Sequence, residues 1–273
     1  MKRDKVRTKG FGIDRTAWAA GLALVAVLLL AEFTGLDLWV QDRFYNFETH
    51  TWLVDAKAFW PRLFFYTGPK AVLIALGMGA LVLALGRTRW RKALSRPPVR
   101  RRDLLVMVAV LVSGPALVAL CKMTTNVFCP FEVRRYGGDV PYVGVCSSYP
   151  AGDQPARQGR GFPAGHASGG FALLSLAGLA RTPRWRTRGL LAGLAAGGLM
   201  GGYQMLKGAH YLSHTLITLA LTWLVFLAWR RLLGATDRED DEWMGKETGA
   251  EDLPRTAGGA KLAASHENPD RRG

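Results

Sequence analysis

The chain has 273 residues, 49% of them hydrophobic, yet its formal net charge is +15. A simple soluble globule has no use for that combination, and it is resolved only if the apolar residues gather in long runs with the basic ones between them. That is how the sequence is laid out.

Residues 1–15 form a basic N-terminus, expected on the cytoplasmic side, containing "MKRDKVRTKG". The first apolar run follows, Thr16–Thr34; its "LLLAEFTG" stretch offers no small-x-small cleavage site, so it is read as a permanent span. A loop of mixed sign comes next, carrying Asp37, Asp42, Arg43, Glu48, Asp55, Lys57 and Arg62. The second run, Gly68–Leu85, leads into the basic stretch "RTRWRKALSRPPVRRRD" and then the third run, Leu104–Cys121. A long polar loop from Lys122 to Gly165 separates it from the fourth run, His166–Ala180. The basic "RTPRWRTR" precedes the fifth run, Gly189–Met205, and the short Lys207–His210 turn precedes the sixth, Tyr211–Trp229.

Each run is uncharged in its middle, and most approach the ~20 residues that cross a bilayer as helix. The expected fold is therefore all-α, a polytopic bundle of six transmembrane helices over residues 16–233. The basic stretches fall on one side of six alternating spans, which puts both termini in the cytoplasm by the positive-inside rule. The tail, residues 234–273, is polar and charged and reads as a disordered cytoplasmic extension. The spacing of the basic stretches matches the spans, so the charge implies anionic headgroups and not a nucleic-acid partner. Oligomeric state is not encoded in any of these features.

Chemistry gathers at the non-cytoplasmic boundary. His166, His210 and His214 lie at this level, with Lys122 and Lys207 beside them. Each histidine alone reads as packing, but three at one depth with neighbouring lysines point to a site. His210 and His214 are four apart, a spacing that shares one helix face and suits two ligands of a metal. HExxH is absent, which makes the metal reading the minor one. "FPAGHASGG" is a turn into a helix whose first free N–H groups suit an anion, with His166 placed to give a proton to a leaving oxygen. The same glycines also suit close helix packing. Cys129 and Cys146 share the long outer loop, where a disulfide between them is conceivable.

Three stretches in this order, "KMTTNVFCP", "PAGH" and "YQMLKGAHYLSH", resemble the motifs of the type 2 phosphatidic acid phosphatase superfamily. Those motifs are Lys, six residues, Arg-Pro; Pro-Ser-Gly-His; and Ser-Arg, five residues, His, three residues, Asp. The resemblance implies a metal-independent membrane lipid phosphatase or phosphotransferase with no cofactor. Its site would face the periplasm from a bacterial inner membrane. It implies that His210 is the nucleophile and forms a phosphohistidine, that His166 is the general acid, and that Lys122 and the backbone at Gly165 hold phosphate oxygens. Departures from the pattern include Cys129 for arginine, Ala164 for serine, Gln204 for arginine and His214 for aspartate. Lys207, Arg134 and Arg135 are candidate replacement cations, Ser168 a replacement hydroxyl, and Glu132 or Asp139 a replacement carboxylate. Candidate substrates are phosphatidic acid, phosphatidylglycerophosphate, lipid A phosphates and polyprenyl diphosphates. The alternative is a degenerate member that binds lipid phosphate without turnover.

Overall fold

The outer surface of this protein is apolar along much of its length. In the computed structural model, which describes residues 13–86, 99–180 and 182–234, Leu22, Leu29, Ile74, Val82 and Leu85 all point outward. A protein in water does not turn such continuous helical faces to solvent. The basic stretch at residues 1–12, most of the one at 87–98 and the tail from 235 lie outside the described residues.

Helix α1 is Ile13–Phe33 and is followed by the short helix α2, Leu36–Gln41. A small hairpin then pairs β1 (Tyr45–Asn46) with β2 (Thr51–Trp52), Tyr45 opposite Trp52. Helix α3, Phe59–Arg62, passes through a π-helical turn, Leu63–Thr67, into α4, Gly68–Leu85. Helix α5, Arg101–Thr124, precedes a long loop held by 3-10 turns at Pro130–Glu132 and Arg134–Tyr136. Helix α6, Gly165–Ala172, is separated by a 3-10 turn, Leu173–Ser175, from α7, Leu176–Leu179. Helix α8, Pro183–Leu206, and α9, Leu212–Leu232, complete the described chain.

The fold is mostly helical, and among the described residues four helical segments are long and apolar enough to cross a membrane: Arg15–Phe33, Phe59–Leu85, Arg101–Thr124 and Leu212–Leu232. They correspond to the first, second, third and sixth apolar runs. The fourth and fifth runs are helical but of a different kind. The fourth is broken by its 3-10 turn, and the fifth is rich in glycine.

The glycines have a packing cause. Gly189, Gly193 and Gly197 recur every four residues and are buried along α8. A Cβ on Gly193 would sit 2.4 Å from the Leu174 nitrogen, and one on Gly170 would sit 2.6 Å from the Gly197 Cα. The backbones of α8 and the α6–α7 segment therefore touch, as small-residue stripes permit. Each glycine that allows this approach also removes an apolar side chain, which is why this run is less hydrophobic than its neighbours.

Replacing Gly193 by valine overpacks this contact by about 1–3 kcal/mol and is expected to lower the melting midpoint in detergent by about 4–10 °C. Gly198 has nothing within 4 Å of a Cβ, so Gly198→Ala leaves the midpoint unchanged or raises it. Equal midpoints for the two variants contradict the close backbone contact.

Candidate functional site

Three segments far apart in sequence meet at one end of the bundle. The first is the end of α5. Its last carbonyls are taken up by hydroxyls: Thr124 and Thr125 both donate to the Cys121 carbonyl, at 2.9 and 3.0 Å. This ends the helix just after Lys122. The Thr125 hydroxyl also lies 2.9 Å from the Phe162 carbonyl, and the Gly161 N–H donates to the Val127 carbonyl at 2.6 Å. The chain after α5 thus holds the chain before α6.

The second segment is the start of α6. The Ala164 N–H donates to the Thr218 hydroxyl at 2.9 Å, and that hydroxyl lies 2.7 Å from the His214 carbonyl. Thr218 thereby ties the turn carrying His166 to the helix carrying His214. No side chain caps the α6 N-terminus. The third segment is the connection from α8 to α9, which carries Lys207 and His210.

These segments enclose a cavity of about 340 Å³. Lys122, His166, Gln204, Lys207 and His210 line it, with Cys129 and, from α3 and the π-helical turn after it, Arg62 and Tyr66. The His166 and His210 ring centres are 6.4 Å apart, and Tyr66 packs against His166 at 4.5 Å. The Lys207 Nζ sits 5.0 Å from the Tyr203 ring and 5.7 Å from that of Tyr66. Among these lining residues are three cations and no carboxylate. The buried Gln204 Nε2 has no hydrogen-bond partner, so an unused donor is available at the cavity wall.

Burial, followed by the Lys122 ammonium and the other two histidines, holds the His210 pKa well below the usual imidazole value; the Gly161 carbonyl opposes this. His210 is thus a neutral imidazole near pH 7, the form that can attack an electrophile. Burial and then Arg62 lower the Lys207 pKa from the ordinary lysine value. Burial, reinforced by Glu132, pushes the Cys129 thiol up to about 12.

The histidine pair differs from its expected geometry. His210 precedes α9, which begins at Leu212, so it does not share a helix face with His214. The two rings are still 5.8 Å apart. His214 is buried behind His210 against Phe162 and Tyr211, and is not among the cavity-lining residues. Lys207 enters the cavity from the α8 C-cap, not from a helix face shared with His210. Gly165 lies against Lys122, where a Cβ would be 3.3 Å from the lysine Cε.

Arg134 and Arg135 are placed elsewhere: Arg134 pairs with Asp153 and Arg135 with Asp42, away from the cavity. Those carboxylates claim guanidiniums that the sequence offered to phosphate. Glu132 accepts from the Cys129 N–H and pairs with Arg157, and the Ser168 hydroxyl donates to the Gly165 carbonyl. The His210 Nδ1 has no hydrogen-bond partner, so no carboxylate replaces the missing aspartate at that nitrogen. Cys129 and Cys146 are both free thiols, so the bridge considered from the sequence is not formed. Among the described residues no three His, Cys, Asp or Glu side chains gather as a metal-ligand group.

Arg62 and Tyr66 were missed by motif reasoning because they precede every motif. Their only cue was position: both stand next to the second apolar run, at the level of the histidines.

Residues 103–237 match the family model described as the PAP2 superfamily. That segment belongs to the PAP2 superfamily. Superfamily membership points to phosphatase-type activity. The matched PAP2 segment includes Lys122, His166, Lys207 and His210 but begins after Arg62 and Tyr66, which complete the cavity from outside it. No curated protein and no solved structure matched the chain.

The Cys129 environment can be read by alkylation. At pH 8 a thiol of pKa about 12 is about one part in ten thousand thiolate, against roughly a quarter for an unperturbed thiol. Iodoacetamide is therefore expected to label exposed Cys146 at least about ten times faster than Cys129, with the Cys129 rate rising as pH rises. Equal rates by peptide mass spectrometry contradict the buried thiol.

Proposed function

We propose that the chain is a membrane lipid phosphatase or phosphotransferase that uses a phosphohistidine on His210. The observation that carries this is continuity between two unlike cavities. An apolar groove of about 630 Å³ runs between α4 and α5, lined by Leu73, Met78, Leu111 and Pro115 among others. It shares Tyr66, Lys122 and His166 with the cationic cavity. A phosphate on an apolar chain fits both at once.

In this reading Lys122, Lys207, Arg62 and the free N–H groups at the start of α6, beside Gly165, hold the phosphate oxygens. The neutral His210 attacks phosphorus: a P–N bond forms and the P–O bond to the leaving alcohol or phosphate breaks. His166 gives its proton to the leaving oxygen. Water, losing a proton to His166, then breaks the P–N bond; an alcohol acceptor in its place makes the reaction a transfer. Fixed cations and oriented amides stabilise the charge, with no part for a metal. His214 supports His210 from behind.

The proposal extends to placement. Six spans, counting α6–α7 and α8 with the four apolar helices, keep the basic stretches on one side. Both termini are then cytoplasmic in a bacterial inner membrane, and the cavity faces the periplasm. One observation favours a second reading, binding without turnover: His210 lacks a carboxylate partner.

Phosphate release from phosphatidic acid and a polyprenyl diphosphate, measured in detergent with chelator, separates the two. Turnover that persists with chelator, falls at least about a hundredfold in His210→Ala and in His166→Ala, and falls about tenfold or more in kcat/KM for Lys207→Ala and Arg62→Ala supports the enzyme. Binding of both lipids without release favours the second reading, and loss of activity with chelator overturns the metal-independent mechanism.

A further inference from the structure

The connection that carries Lys207 and His210, residues 207–211, has no regular structure of its own. It contains Gly208 at a φ of 75°, and Tyr211 at the N-cap of α9 gives no side-chain cap. Its two ends are nevertheless held by one short helix. The Gln41 Nε2 donates to the Met205 carbonyl at 2.8 Å, in the last turn of α8. The Asp37 carboxylate accepts the Ser213 N–H at 2.9 Å and the Ser213 hydroxyl, in the first turn of α9. Asp37 and Gln41 are one turn apart on α2, so they share a face. Both are buried, at 4% and 0% exposure, where an uncompensated polar group is costly.

Asp37 supplies from a distant element the cap that α9 does not make for itself, with a negative charge at the positive end of the helix. Backbone contacts add to the bracing: the Val54 N–H donates to the Leu206 carbonyl, at the end of α8, at 3.2 Å and the Phe131 N–H to the Gly208 carbonyl at 2.9 Å. Helix α2 lies outside the matched PAP2 segment.

We propose that α2 is a positioning clamp: Asp37 and Gln41 fix the two ends of the α8–α9 connection and so hold Lys207 and His210 in the cavity. The consequence for turnover rests on His210 being the attacking group; the placement of the loop does not. Asp37 touches neither His210 nor any substrate atom in this scheme. It acts through Ser213.

Two readouts on the full chain in detergent test it. The first is labelling of histidines by diethyl pyrocarbonate, read by peptide mass spectrometry, with exposed His50 as internal control. Asp37→Ala is expected to raise the His210 labelling rate about fivefold or more, as loss of a cap loosens the loop, with His50 unchanged. The second is turnover of a lipid phosphate: kcat falls about tenfold or more while KM stays within about threefold, because small displacements cost rate more than binding. Asp37→Asn keeps an acceptor for the Ser213 N–H and offers an amide donor to its hydroxyl, and is expected to restore both readouts to within about threefold. Unchanged His210 labelling in folded Asp37→Ala, or equal damage in Asp37→Asn and Asp37→Ala, overturns the clamp. Should Asp37→Ala fail to fold, Gln41→Leu makes the same test at the other end, with the same outcomes. If the wild type releases no phosphate from any lipid, the proposed function fails while the labelling still decides the clamp.

Discussion

Arg62, Lys122 and Lys207 face one cavity whose lining contains no carboxylate. Like charges brought together in partly buried surroundings repel, and the repulsion grows as water is excluded. The lowered Lys207 pKa, caused by burial and then by Arg62, is the visible trace of that cost. An arrangement of this kind is stable only if the backbone holds it firmly, and it is complementary to an anion that neutralises it. Much of the rest of the structure can be understood as what holds these charges in place.

The holding is local and redundant. Thr125 and Val127 secure the chain before α6; Thr218 secures its first residue; α2 grips the α8–α9 connection at both ends. Below them the glycine stripe of α8 lets the backbones of the inner helices touch. The inner elements are thus bound by close packing and hydrogen bonds, while α1 and α4 turn apolar side chains outward. This division suits a bilayer, in which apolar burial between helices drives little and small-residue packing with polar contacts does more.

The sequence carried a good part of this. The second apolar run, Gly68–Leu85, coincides with α4, and Gly86 marks its end, but the helical segment reaches back through the π-helical turn to Phe59. The lysine and histidine motifs pointed to Lys122, His166 and His210, and those three do line one cavity. Periodicity misled at His210, since four-residue spacing looks helical whether or not the helix has begun. Arg134 and Arg135 looked available because no helical or strand spacing pairs them with Asp153, in the same irregular loop, or with Asp42, in a separate element. Arg62, Tyr66 and Asp37 were illegible for the same reason: each acts on residues more than a hundred positions away or across a loop, and no spacing rule reaches that far. The fourth run is broken by a 3-10 turn, and no proline within it signals the break.

The central claim is that His210 carries the phosphoryl group. Rapid quenching of the full-length protein with a lipid substrate labelled at its phosphorus, followed by peptide mapping, addresses it directly. An acid-labile, base-stable phosphoryl group on His210, formed and discharged at the rate of turnover, is the predicted result. A phosphoryl group on another residue, or turnover with none at His210 under conditions that preserve phosphohistidine, contradicts it.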